Sequence, residues 1–121
     1  MRKLMLIEDD ETMLSLLRTL LQFEGFEVVI LNNEKNLDDI MITMRREKPD
    51  VILLDVYLRH HNGFDLMDKI RQDPELKDTW VLMSSGTDFR TQCIRRGADG
   101  FLLKPYMPDE LINMIKEKIG A

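Results

Sequence analysis

Residues 51–56 read VILLDV, four apolar residues that run directly into an aspartate, Asp55. A short apolar run without proline or glycine is typical of a strand that is buried on both faces of a parallel sheet. Similar runs recur along the chain, and longer stretches with apolar residues at helical spacing separate them. This alternation predicts an α/β fold. We predict strands at residues 3–7, 27–31, 51–54, 80–84 and 100–103.

The stretches between the strands each carry one apolar face with a repeat of three or four residues, which predicts five helices. The faces are Met13, Leu16, Leu17 and Leu20; Leu37, Ile40, Met41 and Met44; Leu66, Met67 and Ile70; and, after Pro108, Leu111, Ile112, Ile115 and Ile119. Residues 88–96 offer only Phe89, Cys93 and Ile94 as apolar contacts, so we expect this helix to pack more weakly. The whole pattern predicts a doubly wound parallel sheet in the order 2-1-3-4-5.

Length and composition favour one domain over residues 1–121 that needs no disulfide or structural metal. The single cysteine, Cys93, cannot form an internal disulfide, which favours a reducing compartment and a cytoplasmic location. After Arg2 and Lys3 only four apolar residues precede the acidic run, too few for a signal peptide or a membrane span. A net charge of -5 gives no broad attraction for nucleic acid. We therefore expect neither membrane insertion nor direct nucleic acid binding.

Charged and hydroxyl side chains follow four of the five predicted strands. Right-handed crossovers place the carboxyl ends of all parallel strands at one edge of the sheet, where ligands bind in such folds. The first strand runs into Glu8 and Asp9, the third ends at Asp55, the fourth at Ser84 and Ser85, and the fifth at Lys104 and Pro105. The second, peripheral strand ends without charge at Leu31 and Asn32. The charged ends are thus predicted to converge on one crevice.

Three carboxylates in one crevice suggest a cation site. Carboxylates brought close together raise each other's pKa unless a cation lies among them, and hard oxygen ligands suit Mg²⁺. The candidate ligands are Glu8, Asp9 and Asp55. An aspartate can also accept a phosphoryl group as a nucleophile when metal, cationic or hydroxyl groups neutralise the transferred oxygens. Lys104 and Ser84 are the candidates for that role.

Four segments carry a family resemblance that covers essentially the whole chain. They are LMLIEDDE at 4–11, VILLDV at 51–56, VLMSSG at 81–86 and GADGFLLKPY at 97–106. In their order and spacing they resemble the receiver domain of bacterial two-component response regulators. The resemblance implies the CheY-like, flavodoxin-like fold. It also implies a signalling domain that assists its own phosphorylation and dephosphorylation and is not otherwise an enzyme.

The resemblance assigns a role to each residue of the crevice. Asp55 would be the phosphoacceptor. Mg²⁺ would be held by Glu8, Asp9, Asp55 and the backbone carbonyl of Tyr57. Ser84 and Lys104 would contact the phosphoryl group, and Phe101 would be the aromatic switch residue that turns inward when Ser84 moves. The bond between Lys104 and Pro105 would be cis. The signal would leave through the fourth helix, fifth strand and fifth helix.

The resemblance also implies classes of partner. A sensor histidine kinase or a phosphotransfer protein would donate the phosphoryl group. A downstream effector protein, or an effector domain that is not visible in this sequence, would receive the signal. A phosphorylation-dependent homodimer is a further partner that the resemblance allows.

The chain departs from the family pattern near the phosphoacceptor. Arg59 stands where the family commonly has a proline, whereas the expected glycine is present as Gly63. We therefore expect the loop at 58–62 to be more mobile. Tyr57 and Gly86 occupy positions that influence how water reaches the phosphoryl group, so the sequence leaves the dephosphorylation rate open.

Other interpretations of these residues stay open at this point. The run from Glu8 to Glu11 can cap the first helix, and we expect Asp10 and Glu11 to do only that. A haloacid dehalogenase-type phosphatase would use similar groups but normally needs a second aspartate where this chain has Tyr57. A nucleotide-binding Rossmann domain would need a glycine-rich loop after the first strand. A receiver-like interaction module that is never phosphorylated is a third alternative. We expect His60 and His61 to be solvent-exposed.

Overall fold

The computed structural model describes residues 2–31, 34 and 36–119 of the chain. Strands and helices alternate along these residues. The strands are β1 Lys3–Ile7, β2 Glu27–Leu31, β3 Val51–Asp55, β4 Trp80–Ser85 and β5 Gly100–Leu103, and the helices are α1 Glu11–Phe23, α2 Leu37–Glu47, α3 Gly63–Gln72, α4 Arg90–Arg95 and α5 Pro108–Ile119. All neighbouring strands pair in parallel in the order β2-β1-β3-β4-β5. The predicted doubly wound, CheY-like sheet is confirmed.

Two strands continue one residue beyond their predicted ends. β3 includes Asp55, which lies opposite Ser84, and β4 includes Ser85, which lies opposite Leu103. Both residues stay in the sheet because a neighbouring strand continues alongside them. The predicted end of the second strand at Asn32 lies outside the described residues.

The sheet separates two apolar layers because successive side chains of a strand point to opposite faces. Leu4 and Leu6 of β1 pack with the buried faces of α1 and α5. Met5 and Ile7 pack on the other side with α2, α3 and α4. The predicted buried faces of α2, α3 and α5 are confirmed at nearly every position.

The predicted buried face of α1 is wrong by part of a turn. The residues that α1 buries are Leu14, Leu17 and Leu21, whereas Leu16 is 50% exposed. Met13 and Leu20 are only partly buried against the same layer. This helix carries apolar residues around a wide arc, so their spacing does not distinguish one stripe from its neighbour.

α4 is a helix of six residues with few core contacts, as predicted. Cys93 is its one buried residue and packs in the core as a free thiol, whereas Ile94 is largely exposed. The N-cap residue of α4, Phe89, has no capping side chain, and the Asp88 carboxylate accepts a hydrogen bond from the Arg90 amide at 3.1 Å. α1, in contrast, is capped by Asp10, whose carboxylate accepts a hydrogen bond from the Met13 amide at 3.1 Å. The predicted weak packing of α4 and the predicted capping of α1 by Asp10 are confirmed.

Within the described residues, none of the helices has the length and apolar character needed to cross a membrane.

Candidate functional site

The carboxyl ends of three strands, β1, β3 and β5, bring together residues that are far apart in the sequence. Asp55 is the last residue of β3, and Glu8 directly follows β1. Lys104 directly follows β5. The Lys104 ammonium lies 2.7 Å from Glu8 Oε1 and 3.1 Å from Asp55 Oδ2, so it donates a hydrogen bond to each carboxylate. The predicted convergence of these three side chains is confirmed.

Burial strengthens the interactions among these three charged groups and shifts the pKa values of Glu8 and Lys104. Glu8 is 4% exposed and Asp55 is 8% exposed. Burial raises the pKa of Glu8 most, the nearby Asp55 raises it further and Lys104 opposes both, which leaves the pKa of Glu8 at about 8. Burial lowers the pKa of Lys104, but the hydrogen bond to Glu8 and the charge of Asp55 outweigh burial and keep that pKa above its ordinary value. One ammonium therefore does not fully compensate two buried carboxylates.

The carboxylate oxygens at this edge of the sheet are suitable ligands for a hard divalent cation. Among the side chains of the described residues, Glu8 Oε2 is a buried oxygen that has no hydrogen-bond partner. A buried carboxylate oxygen without a partner is costly, and a cation ligated by it would remove that cost. Asp55 supplies further carboxylate oxygen next to Glu8. These residues therefore fit the predicted Mg²⁺ site.

The third predicted ligand, Asp9, is engaged elsewhere. Its Oδ2 accepts a hydrogen bond from the backbone amide of Arg59, in the loop between β3 and α3. Across residues 2–31, 34 and 36–119, no three His, Cys, Asp or Glu side chains are grouped so that they could hold a metal ion. Glu8 and Asp55 are together, and Asp9 is bonded to the loop.

The two serines at the end of β4 have different surroundings. Ser84 is buried and lies directly across from Asp55 in the parallel ladder, so both side chains are on the same face. Ser85 Oγ accepts a hydrogen bond from the Thr87 amide at 3.1 Å and so holds the turn that follows β4. The structure brings Ser84 to the site, whereas Ser85 stabilises the adjacent loop.

Phe101 is buried in this structure. It is 4% exposed, lies opposite Met83 in the sheet and packs in the layer that contains α4. The Arg90 guanidinium carbon lies 5.7 Å from the centre of its ring. Phe101 therefore already occupies the inward position that the sequence analysis assigned to the phosphorylated form. The Lys104–Pro105 bond is cis, as predicted.

Tyr57 lies at the rim of the site. Its side chain is 61% exposed, and its ring meets Phe89 edge-on with 5.8 Å between ring centres. Phe89 meets Phe64 of α3 in the same way at 5.7 Å. The role of the Tyr57 carbonyl as a metal ligand stays a prediction.

Gly63 permits the close approach of α3 to the end of β3. Its amide donates a hydrogen bond to the Val56 carbonyl at 2.7 Å. A Cβ at this position would lie 2.2 Å from the Asp55 carbonyl oxygen and 2.9 Å from Val56 Cα. The glycine is therefore required by its contact with the backbone that carries Asp55.

Tyr106 is a neighbour of the site that the sequence pattern does not single out. Tyr106 is buried, and burial together with the charges of Glu8 and Asp55 raises its pKa. Its position directly after Pro105 is the signal that indicates its closeness to the site.

His60 is exposed as expected, but the expectation that His61 is solvent-exposed is wrong. His61 is half-buried because its Nε2 donates a hydrogen bond to the Glu34 carbonyl at 3.0 Å.

Comparisons with known proteins agree with this geometry. The family model described as the response regulator receiver domain matches residues 4–116. The transcriptional regulatory protein YxdJ of Bacillus subtilis is 31% identical over 98% of this chain and 51% of YxdJ. A crystal structure of a putative response regulator from Chloroflexus aurantiacus is similar with a TM-score of 0.86 and 26% identity, covering 99% of this chain and 98% of the other.

A third similar structure is the receiver domain of the sensor histidine kinase PA1611 from Pseudomonas aeruginosa, which has a magnesium ion coordinated in its active site cleft. It has a TM-score of 0.84 and 20% identity, and the match covers 99% of this chain and 98% of that one.

The match to the family model runs from β1 into α5 and so contains every strand end that forms the site. The chain spans about half the length of the curated relatives it matches. By sequence and by fold, this chain belongs to the response regulator receiver domain family.

Proposed function

We propose that this receiver domain is switched by Mg²⁺-dependent transfer of a phosphoryl group to Asp55. The observation that carries the proposal is the shared ammonium of Lys104, bonded to Asp55 at 3.1 Å and to Glu8 at 2.7 Å. A carboxylate at the end of a buried strand, with a cation beside it, is a nucleophile placed where the charge of a phosphoryl group can be neutralised.

In the proposed step a carboxylate oxygen of Asp55 attacks phosphorus. The bond between phosphorus and the donor breaks, and its electron pair leaves with the donor, so that an aspartyl phosphate forms. Negative charge then lies on the three equatorial oxygens. Lys104 pairs with one of these oxygens, and the Ser84 hydroxyl donates a hydrogen bond to another.

The metal ligands in this proposal are Glu8, Asp9, Asp55 and the Tyr57 carbonyl. When bound, Mg²⁺ supplies positive charge against the transferred oxygens. The proposal is supported by the buried, unpartnered Glu8 Oε2 among the described residues. It is also supported by the magnesium ion in the cleft of the PA1611 receiver domain.

The output surface that we propose consists of α4, β5 and α5. Ile94, Leu103 and Met107 are exposed apolar residues on or next to these elements, at 47%, 44% and 66% exposure. α4 has one buried residue, so its position costs little to change. The partners would be a sensor histidine kinase or phosphotransfer protein as donor, an effector protein or effector domain as target, and a second copy in a phosphorylation-dependent homodimer.

We further propose that residues 1–121 form one domain and that this domain lies in the cytoplasm. The free thiol of the buried Cys93 supports the location in a reducing compartment. The domain would assist only its own phosphorylation and dephosphorylation. No observation favours the phosphatase alternative, because the position of its general acid is held by the largely exposed Tyr57.

Intact-mass measurement after incubation with Mg²⁺ and acetyl phosphate tests the proposal. We expect the mass of one phosphoryl group to be added, and we expect a chelator to prevent the addition. Asp55→Asn should abolish it, whereas Asp50→Asn should not, because Asp50 is exposed at the other end of β3. An equal adduct on Asp55→Asn, or none on the unchanged chain, would contradict the proposal. Turnover of a general phosphatase substrate would favour the phosphatase.

A further inference from the structure

The loop between β3 and α3 holds one of the proposed metal ligands through its backbone. The Arg59 amide donates a hydrogen bond to Asp9 Oδ2. The Arg59 side chain takes no part in this bond and is exposed. A proline at position 59 has no amide hydrogen, so the bond exists only because this chain has another residue there.

Other contacts fix the position of this loop. Leu58 packs against the apolar layer of α2 and α3, and its amide donates a hydrogen bond to the His61 carbonyl at 3.1 Å. The His61 ring is bonded to the Glu34 carbonyl at 3.0 Å. Tyr57 and Asn62 form an isolated antiparallel bridge at the base of the loop. The Arg59 amide is therefore presented to Asp9 from a segment that is itself anchored.

The positions of the three carboxylates suggest that the loop and the proposed metal site compete for Asp9. Glu8 and Asp55 share the Lys104 ammonium, whereas Asp9 faces the loop. Within the part of the chain that the structure describes, no three acidic, histidine or cysteine side chains form a group that could hold a metal. Only Oδ2 of Asp9 is bonded to the loop, but turning the carboxylate toward Glu8 and Asp55 would carry Oδ2 away from the fixed Arg59 amide and break this bond.

We propose that the Arg59 amide is a latch that holds Asp9 away from the metal site, so that Mg²⁺ binding requires the loop to release Asp9. This inference rests on the proposed metal site. In the metal-free chain the latch satisfies the Asp9 carboxylate. In the metal-bound chain Asp9 is a ligand, and the amide of residue 59 is freed. Metal binding is thereby coupled to the loop next to the phosphoacceptor.

Isothermal titration of the metal-free chain with Mg²⁺ tests this coupling with a matched pair of variants. Arg59→Pro and Arg59→Ala both remove the side-chain charge, but only Arg59→Pro removes the amide hydrogen. A hydrogen bond to a charged group is worth enough to change an equilibrium by about tenfold, so we expect Arg59→Pro to bind Mg²⁺ about tenfold more tightly than Arg59→Ala. Equal or weaker binding by Arg59→Pro would overturn the latch.

Amide hydrogen exchange of the unchanged chain provides a second measurement that does not depend on the proline variant folding. The Arg59 amide should exchange slowly without metal and several-fold faster with saturating Mg²⁺. Protection that persists in the metal-bound chain would contradict the inference, as would failure to bind Mg²⁺. Neither measurement uses phosphoryl transfer. Coupling without phosphorylation of Asp55 would overturn the proposed function alone, and phosphorylation without coupling would overturn the latch alone.

Discussion

Asp55 and Gly63 are in contact at the point where β3 ends and α3 begins. A Cβ on Gly63 would come within 2.2 Å of the Asp55 carbonyl oxygen, and this contact is with backbone, which cannot rotate away as a side chain can. The family pattern predicts a glycine at this position. The structure gives the physical reason, which is that any side chain here would displace the residue that bears the proposed nucleophile.

Gly63→Ala should therefore destabilise the fold. Forcing an atom into a closely packed region costs typically a few kcal/mol, and we expect the free energy of unfolding to fall by about 3 kcal/mol in a urea titration. Gly86→Ala is the matched control, because a Cβ there would meet nothing within 4 Å and Gly86 does not have a positive φ. Equal stability of the two variants would show that the contact at Gly63 is relieved without cost.

Asp73, at the carboxyl end of α3, is a second residue whose surroundings make a prediction. Burial raises its pKa, but the hydrogen bond from Arg45 at 2.7 Å and the backbone amides of Glu75 and Leu76 outweigh burial, so the pKa lies below its ordinary value of 3.8. A depressed native pKa stabilises the fold at pH values above the unfolded pKa. That stabilisation is lost as the pH falls below 3.8 through the native pKa.

Asp73→Asn should therefore be less stable than the unchanged chain at neutral pH. The difference in free energy of unfolding should stay constant down to about pH 5 and shrink at lower pH, because the native chain then also loses the Asp73 charge. Denaturant titrations at a series of pH values measure it. Asp38→Asn serves as control, since Asp38 is exposed and lies 3.9 Å from Lys69. A difference that does not depend on pH would contradict this account of Asp73.

Among the elements, α4 is held by one buried residue in its middle and by contacts at its two ends. Phe89, at its amino end, packs edge-on against Tyr57 and Phe64. Arg96, at its carboxyl end, lies 4.9 Å from the Phe64 ring centre and 2.7 Å from the Asp68 carboxylate. The rings of Phe89 and Phe64 are partly buried against the core, whereas the pair of Arg96 and Asp68 is exposed to solvent. A helix attached in this way is easier to reposition than a helix that buries a full apolar face.

Phe89→Ala should loosen α4 selectively. Two edge-to-face ring contacts are worth enough together to change a local opening equilibrium by about tenfold. We expect amide exchange within α4 to accelerate by about that factor, with no change in α2. Phe23→Ala is the control, because Phe23 is 89% exposed at the end of α1. If exchange in α4 were unchanged in Phe89→Ala, the ring contacts would not be what holds this helix.

The helices also show where sequence patterns succeed and fail. The buried faces of α2 and α3 could be predicted because each carries one narrow apolar stripe. The face of α1 could not, because Leu16 and Leu20 form an apolar stripe beside the buried one and spacing alone gives the two equal weight. Which stripe is buried depends on how α1 rests on the sheet and against α5, and that is a tertiary property.

At the scale of the whole molecule, the order of the sheet and the convergence of Glu8, Asp55, Ser84 and Lys104 could be predicted from the sequence. Buried parallel strands leave continuous apolar runs, and the handedness of their connections places all carboxyl ends at one edge. The hydrogen bonds of Asp9 to Arg59 and of His61 to Glu34 could not be predicted. Loop contacts depend on short-range geometry that periodicity does not encode.

In the proposed function Asp55, and not another carboxylate, carries the phosphoryl group. The direct measurement is borohydride reduction of the chain after incubation with acetyl phosphate and Mg²⁺, followed by tryptic digestion and fragment-ion sequencing. Reduction of an aspartyl phosphate releases phosphate and leaves homoserine. Cleavage after Arg46 and Arg59 gives a peptide of residues 47–59, which contains both Asp50 and Asp55 and so an internal comparison. We predict homoserine at position 55 with Asp50 intact, and homoserine at position 50, or at neither position, would contradict the account.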